Sequence, residues 1–185
     1  MGYIFDPREP QSIAVRHIGR PHEEMVAGIA GDLAKAYPGH IEMKQNWVLS
    51  ICGGVMGIMT VLHGSLSEYV LIYGTPIGTE GFSGRYRIDI YDVLLAGQMW
   101  TYTEEHFREP IVTAPGELAH LRRRVAKGVR LSNGAWMLEY GRGPVVTTLP
   151  FALSGAITGL EARSVAKTIW IYGRLAIREL LRGKI

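Results

Sequence analysis

The sequence has little of what small disulfide-bonded or metal-binding proteins depend on. It contains a single cysteine, Cys52, which excludes an internal disulfide framework and, because it lies in an apolar run, is predicted to be a small core residue. None of the six histidines has HxH, HxxxH or HExxH spacing, so we predict no metal site and no cofactor. Residues 78–84 (GTEGFSG) match neither a P-loop nor GxGxxG, and we expect a hairpin loop there.

Signal peptides and membrane spans are also missing from the sequence pattern. Residues 1–10 have no basic start followed by an apolar stretch, so we expect no signal peptide and a cytoplasmic protein. Residues 46–67 carry no Asp, Glu, Lys or Arg, but Gly53, Gly54 and Gly57 interrupt them, which argues against a transmembrane helix. Two buried strands, over residues 47–51 and 58–63, with a glycine turn between them fit this stretch better.

The sequence also has little net charge: its 20 basic and 17 acidic residues give a formal net charge of +3. The basic residues are unevenly spread, and they concentrate in residues 122–130 and 163–184. No nucleic-acid-binding module is recognisable and the aromatic residues do not alternate with the basic clusters, so we predict no nucleic-acid partner. An anionic membrane surface is the partner that these clusters favour.

Length and composition predict one folded domain over residues 1–185, since a chain of this length that is 47% hydrophobic and 20% charged can bury a sizeable core. Residues 1–45 are predicted to be helical, with Pro21 suited to the first turn of a helix. Residues 46–146 form the predicted β core. Its further strand-like runs, separated by turns that contain glycine or proline, lie at 68–73, 84–92, 98–102 and 134–140. This pattern predicts a mainly β fold with flanking α-helices, either a barrel or a sandwich.

Residues 147–185 are predicted to form C-terminal helices, and residues 160–182 read as an amphipathic helix. The basic residues of this segment fall at positions 163, 167, 174, 178 and 182, whereas an apolar face is formed by Val165, Ile169, Tyr172, Ala176 and Leu180. The spacing fits two interpretations equally well: a surface helix that covers the β core, or an interfacial helix that lies on lipid. The uncharged residues 144–160 favour the second, which predicts a protein at the membrane periphery.

Two carboxylates, Asp92 and Glu139, lie where strands normally have apolar side chains. Asp92 closes RYRIDIYD (residues 85–92), where alternation places it on the face of Ile88 and Ile90 and leaves Asp89 on the opposite, solvated face. Glu139 lies within AWMLEY (residues 135–140). Burying a charge is costly unless the group is paired or protonated, so two such residues predict a functional site. Two carboxyl groups held close together tend to share one proton.

His63 and Glu68 also lie in apolar surroundings, but both are interpreted as structural. A histidine in such a run is more often a hydrogen-bonded core residue than a base. Glu68, beside Ser65 and Ser67, can accept hydrogen bonds from backbone amides of a turn. Neither residue is therefore predicted to belong to the site.

Five fragments of the sequence, taken in order, resemble the family of the sigma non-opioid receptor and the fungal C-8 sterol isomerases. They are PGHI (38–41), LHGSLSEYVL (62–71), SGRY (83–86), WMLEYGRG (136–143) and TLPFAL (148–153). The resemblance runs from about residue 30 to the C-terminus, and it implies a cupin-like β-barrel around an apolar pocket, closed by C-terminal amphipathic helices that rest on the membrane. It also implies a homo-oligomer, which is a trimer in the sigma receptors. The N-terminal transmembrane helix of the family has no counterpart in this sequence.

The resemblance also implies roles for individual residues. Glu139 corresponds to the acidic residue that contacts the cationic amine of a ligand, and Asp92 corresponds to its carboxyl neighbour. The implied pocket is lined by Tyr69, Met59, Val61, Leu71, Tyr73, Ile90, Met99, Val145, Thr148, Ala152 and Tyr172. Val55 replaces an aromatic wall residue of the sigma receptor and Thr113 replaces its pocket-side histidine, which implies a different ligand preference.

Three functions fit these residues. The first is isomerisation of a sterol or a related polycyclic isoprenoid, in which carboxyl groups move a ring double bond from carbon 8 to carbon 7 by protonation and deprotonation. The second is a sigma-receptor-like protein that binds hydrophobic cationic amines and sterols without turnover. The third is a structural domain with buried, hydrogen-bonded acids. The motifs do not separate the first two, and the missing membrane helix favours the isomerase.

Overall fold

The computed structural model describes residues 2–184. Helices α1 (Arg8–Val15) and α2 (His22–Ala36) come first. The strands of the described residues are β1 (Val48–Cys52), β2 (Val55–Gly64), β3 (Glu68–Thr75), β4 (Thr79–Phe82), β5 (Asp89–Ala96), β6 (Met99–Tyr102), β7 (Ile111–Thr113), β8 (Leu118–Leu121), β9 (Gly128–Leu131) and β10 (Ala135–Arg142). A 3₁₀ turn (Val145–Thr148) leads into α3 (Leu149–Thr158) and α4 (Ala162–Leu181). The fold is mainly β with flanking α-helices, as the sequence predicted.

The strands form two antiparallel sheets that enclose a cavity. The larger sheet has the order β1-β2-β3-β10-β5-β8, and the smaller has the order β4-β9-β6-β7. The expected barrel is therefore not one closed hydrogen-bonded ring, because the chain leaves the larger sheet after β5 and enters the smaller one at β6. Gly97 makes this turn with φ of +77°, and a Cβ atom there would lie 2.7 Å from the Cα atom of Ala135, so the position requires glycine.

The larger sheet is covered on both faces, and its side chains alternate between them. In β3, Val70 and Ile72 belong to the same core as Ile29 of α2. Tyr69 and Leu71 of the same strand point the other way and line the cavity. Strands β5 and β10 alternate in the same manner, because successive side chains of a strand point to opposite faces. The helical layer thus holds the sheet from outside and fixes the side chains that face the cavity.

The glycine turn predicted in the uncharged stretch joins β1 to β2. Gly53 and Gly54 have φ of +57° and +85°, which is the left-handed region that favours glycine. Cys52 precedes this turn, and it lines the cavity and is only partly buried, so its prediction as a core residue was wrong. The local run of apolar neighbours did not reveal that a cavity lies beside the strand.

Residues 78–84 differ from their prediction as a loop. Thr79–Phe82 form β4, which pairs with β9 in the smaller sheet. The reason is a close tertiary approach: a Cβ atom on Gly81 would lie 2.3 Å from the carbonyl oxygen of Gly53. The glycines that indicated a loop instead allow one strand to pass close to the turn of another.

The run predicted as a strand over residues 84–92 is a strand only from Asp89 onward. Asp89 itself was predicted to be solvated, and that prediction was wrong. Its side chain is buried because β8 pairs with β5 and supplies His120, whose Nε2 lies 3.2 Å from Oδ1. Arg123 follows β8 and donates from Nη2 to Oδ2 at 2.6 Å. The sequence pattern had not identified β8, so these partners could not be anticipated.

Glu68 has a structural role, although its partners are not those of its own turn. It is fully buried, and it accepts hydrogen bonds from the backbone N–H of Ile4 at 2.6 Å and from the hydroxyl of Tyr140 at 2.9 Å. Lys184 places Nζ 2.9 Å from the same carboxylate. Glu68 therefore joins the first residues, the central sheet and the end of the chain.

Helix α4 covers the sheets with only part of the predicted apolar face: Ala176 is buried and Tyr172 lines the cavity, but Ile169 and Leu180 are exposed. Its buried residues are Ser164, Ile171, Leu175, Ala176 and Glu179. Its exposed large apolar residues are Ile169, Trp170, Ile177, Leu180 and Leu181. Basic side chains of α4 contact the protein body: Lys167 donates to the carbonyl of Trp47 at 2.8 Å, and Arg174 pairs with Glu42 at 2.6 Å. Among the described residues, no helix combines the length and the hydropathy needed to cross a membrane.

Candidate functional site

A cavity lies between the two sheets and under the C-terminal helices. Both sheets contribute to its wall, together with the 3₁₀ turn, α3 and α4. All thirteen residues predicted for the site lie along it, namely Glu139, Asp92, Tyr69, Met59, Val61, Leu71, Tyr73, Ile90, Met99, Val145, Thr148, Ala152 and Tyr172. Val55 also lines it, whereas Thr113 is paired with Met99 in the smaller sheet and is not part of the wall. The wall is mostly apolar, so the few polar groups stand out.

Glu139 and Asp92 are brought together by strand register. Strands β10 and β5 are neighbours, and Glu139 is directly opposite Asp92. Residues directly opposite in an antiparallel pair share a face and have side chains in reach of each other. Both side chains therefore enter the same cavity, at its centre.

Tyr69 reaches Glu139 across a glycine. Its hydroxyl donates a hydrogen bond to Oε1 of Glu139, with an oxygen–oxygen distance of 2.5 Å. Tyr69 lies on β3 opposite Gly141 of β10, and a Cβ atom at Gly141 would lie 2.3 Å from the tyrosine ring. Glycine at this position lets the ring lie over β10, so that the hydroxyl arrives at the carboxyl two residues away.

Lys127 is a further polar residue of the cavity, and the sequence did not single it out. Its Nζ lies 2.8 Å from Oδ2 of Asp92, and the two side chains are only 10% and 5% exposed. In the sequence Lys127 is one of several basic residues in 122–130, a cluster assigned to a charged surface. No local signal separated it, because its inward direction depends on the pairing of β9, which begins at the next residue.

The electrostatics of the cavity favour a neutral Glu139. Burial and the neighbouring charge of Asp92 raise the pKa of Glu139 to about 7, while the hydrogen bond from Tyr69 and the ammonium of Lys127 oppose that rise. Asp92 in turn forms an ion pair with Lys127. With Glu139 protonated, the three groups Glu139, Asp92 and Lys127 carry no net charge. Burial together with Glu139 also raises the pKa of Tyr69 well above its usual value, so Tyr69 remains a hydrogen-bond donor.

One oxygen of the site is left without a partner. Within residues 2–184, Oδ1 of Asp92 is buried and has no hydrogen bond, whereas Oδ2 is held by Lys127. A buried acceptor without a partner is costly, and such atoms are characteristic of functional sites. The cavity therefore combines a carboxyl group that can give up a proton near neutral pH with a carboxylate oxygen that can accept one.

Several aromatic and polar wall residues were not identified from the sequence. Tyr86 and Phe82 precede β5, Phe151 lies on α3, and Thr168 lies on α4 one turn before Tyr172. Tyr86 and Phe151 contact each other edge to face, with ring centroids 5.5 Å apart. They lie on a short strand, in a loop and on helices, and a sequence pattern does not reveal which of these side chains meet.

A family model described as ERG2 and Sigma1 receptor like protein matches residues 1–184. The Protein erg2 homolog of Dictyostelium discoideum is 39% identical over 91% of this chain and 72% of its own length. The sigma non-opioid intracellular receptor 1 of Gallus gallus is 42% identical over 84% of this chain and 70% of its own length. The C-8 sterol isomerase ERG2 of Gibberella zeae is 35% identical over 99% of this chain and 79% of its own length.

Among solved structures, an RmlC-like cupin from Shewanella frigidimarina matches with a TM-score of 0.44 and 15% identity, over 55% of this chain and 85% of its own. The sequence relatives are much closer in sequence than this structure, and the family model extends over both sheets and over the C-terminal helices. On the match over residues 1–184 and on these relatives, the chain belongs to the family of ERG2 and Sigma1 receptor like proteins.

Proposed function

We propose that this protein is an isomerase that moves a ring double bond of a sterol, or of a related polycyclic isoprenoid, from carbon 8 to carbon 7. The observation that carries the proposal is the pairing of Glu139, whose pKa is raised to about 7, with the Asp92–Lys127 ion pair in an apolar cavity. Protonating an alkene requires a neutral acid beside the double bond, and a raised pKa keeps that acid protonated near neutral pH.

The proposed reaction begins with proton transfer from Glu139 to carbon 9. The electron pair of the double bond forms the new carbon–hydrogen bond, and carbon 8 becomes a tertiary carbocation. The Glu139 carboxylate produced in this step faces the cation and stabilises it, because few other charges compete in an apolar cavity. The hydroxyl of Tyr69 donates a hydrogen bond to the same carboxyl throughout and holds it in position.

Asp92 completes the reaction as the base. Its free oxygen, Oδ1, takes a proton from carbon 7, and the electrons of that bond form the new double bond. Glu139 and Asp92 lie opposite each other, so the proton returns from Asp92 to Glu139 and the site is restored without an outside co-reactant. Lys127 holds Oδ2 of Asp92 in an ion pair, and in this role it positions Asp92 rather than contacting the substrate.

The second candidate function is binding of a hydrophobic cationic amine without turnover. It is supported by the relatives named sigma receptors and by Glu139, which can pair with an ammonium group after losing its proton. Lys127 already pairs with Asp92, so Glu139 is the carboxyl group left to face such an ammonium.

The deciding experiment is incubation of the pure protein with a sterol that has its double bond at carbon 8, in heavy water. Conversion to the carbon 7 isomer with one deuterium at carbon 9 is the expected result. Glu139→Gln and Asp92→Asn should both abolish it, whereas Glu80→Gln, which changes an exposed glutamate of β4, is the matched control and should convert normally. Tight amine binding without conversion would select the binding protein, and neither result would select a structural domain.

We further propose that α4 lies on a membrane surface through its exposed apolar residues. Trp170 is 71% exposed and Leu181 is 84% exposed on the helix whose opposite face walls the cavity. Burying such side chains in the interfacial region of a bilayer is favourable. The basic side chains of α4 contribute less than the sequence implied, because Lys167 and Arg174 already have partners in the protein. An apolar substrate would then reach the cavity from the lipid.

A further inference from the structure

Three potential metal ligands from distant parts of the chain meet outside the cavity. They are His40, which follows α2, His63 of β2 and Glu179 near the end of α4. One side-chain ligand atom from each lies within 4.8 Å of the other two. None of the three lines the cavity. The sequence predicted no metal site because its histidines have no short ligand spacing, and these residues are brought together only by tertiary packing.

His63 presents a free lone pair to this cluster. Its ring is fully buried, which confirms the predicted core position. Nδ1 lies 2.9 Å from the carbonyl oxygen of His40, and because a carbonyl only accepts, Nδ1 must donate. Nε2 is then the unprotonated nitrogen, and within the described residues it has no hydrogen-bond partner. A metal ligand needs this state, with the far nitrogen fixed by a carbonyl.

Glu179 supplies the negative charge of the cluster. Its side chain has no exposed surface, and Oε2 lies 2.7 Å from Nδ1 of His40. Arg178 and Arg182 approach the other oxygen, Oε1, each at 3.5 Å. The two guanidinium groups lie beside Oε1 as ion-pair partners, and Oε2 is paired with His40. One ring nitrogen of His63 lies within 4.8 Å of the ligand atoms of both other residues.

We propose that His40, His63 and Glu179 bind a Zn²⁺ ion. Two imidazole nitrogens and one carboxylate oxygen are a common ligand set for zinc, and the fourth position of a tetrahedron is open to water. Imidazole ligands select against Mg²⁺ and Ca²⁺, which prefer oxygen. His40 is 29% exposed, so water can enter from its side, and its Nδ1 proton moves to Nε2 or to solvent when the ion binds. Bonds near 2 Å place tetrahedral ligand atoms about 3.3 Å apart, so His63 must lie within that distance of the other two ligands, while Nδ1 of His40 and Oε2 of Glu179, now 2.7 Å apart, must separate slightly.

A metal ion at this site would cross-link α4 to the rest of the protein. His40 and His63 belong to the body, whereas Glu179 lies on α4 about two turns after Tyr172, which walls the cavity. A shared ion would hold the end of α4 in place and reduce its local opening. This inference does not depend on the proposed isomerase activity, because its primary readout is the binding of the metal itself.

The test is titration of chelator-treated protein with Zn²⁺ and, separately, with Co²⁺, whose visible absorption reports tetrahedral ligation by nitrogen. We expect one ion per chain. His63→Gln and Glu179→Gln should each weaken binding at least tenfold, and both should reduce the cobalt absorption. His106→Gln is the matched control, because His106 lies in an exposed turn outside the cluster and its loss should change nothing. Amide hydrogen exchange in residues 171–181 should slow when zinc is added to wild type.

The results of this titration distinguish a metal site from a cluster of hydrogen-bonded side chains. Failure of wild type to bind zinc, or equal binding by wild type and His63→Gln, would overturn the proposal and leave a hydrogen-bonded cluster. Far-ultraviolet circular dichroism establishes that each variant is folded. If the two buried variants do not fold, His40→Gln replaces them, since His40 is partly exposed and its substitution should weaken binding by the same margin.

Discussion

Glu139→Gln should make the protein more stable at neutral and alkaline pH, although it removes the central residue of the cavity. Burial and the charge of Asp92 raise the pKa of Glu139 from 4.5 to about 7. Between these pH values the folded protein keeps a proton that the unfolded chain has released. The stability that this group contributes is therefore fully present below pH 4.5, and it is lost as the pH rises through about 7.

The magnitude follows from the same two values. A difference of one in pKa corresponds to about 1.4 kcal/mol, so the rise from 4.5 to about 7 corresponds to about 3 kcal/mol. Glutamine is neutral at every pH, and its amide oxygen still accepts the hydrogen bond from Tyr69. Relative to wild type, the free energy of unfolding of Glu139→Gln should therefore increase by about 3 kcal/mol as the pH rises through this range.

The assay is urea denaturation of both proteins at several pH values on either side of this range, with the free energy of unfolding extrapolated to water. Glu68→Gln is the matched control: Glu68 is also buried, but Lys184 and backbone amides stabilise its carboxylate, so its replacement should lower stability at neutral pH. A constant difference between wild type and Glu139→Gln across the series would refute the reasoning. Lower stability of the variant than of wild type above pH 7 would refute it as well.

Three further predictions concern the neighbours of Glu139 and the membrane-facing helix. Lys127→Met should lower turnover and tighten binding of a cationic amine by on the order of tenfold, because it removes the ammonium beside Asp92; affinity for a neutral sterol is the control and should not change. Tyr69→Phe should raise the pKa of Glu139 further and move the alkaline limb of the pH–rate profile upward, and an unmoved limb would contradict the assigned hydrogen bond. Trp170→Ser should reduce sedimentation with lipid vesicles, while strong release of wild type by salt would show that charge rather than apolar contact holds the helix.

The candidate site was predictable from the sequence where a residue type conflicted with its surroundings. Asp92 and Glu139 are acids in apolar strand-like runs, and the cost of burying a charge made them conspicuous. Lys127 was not conspicuous, because a lysine among other basic residues resembles an ordinary surface cluster. Lys127 points into the cavity because the pairing of β9 with β6 fixes the direction of the chain at this point. No local sequence pattern predicts that pairing.

Helix α4 shows a second limit of sequence patterns. Periodicity identified the helix, and its bounds at Ala162–Leu181 agree closely with the predicted residues 160–182. It did not identify the buried face, because apolar residues surround more than half of the helix. Packing against the sheets selected the face of Ile171 and Leu175, and left Ile169 and Trp170 exposed.

The sequence by itself determined the longer elements of this protein and its unusual residues, but not the short strands β4, β7, β8 and β9. Residue periodicity, turn glycines and two acids in apolar runs are local properties, and each was readable over ten to twenty residues of chain. Only the tertiary structure decided which distant side chains lie close together. Strand register places Glu139 opposite Asp92, and Lys127 lies beside them. Packing of α4 brings Glu179 to His40 and His63. The reason is physical. Local conformation depends on neighbouring residues, whereas the relative positions of distant side chains depend on how sheets and helices pack together.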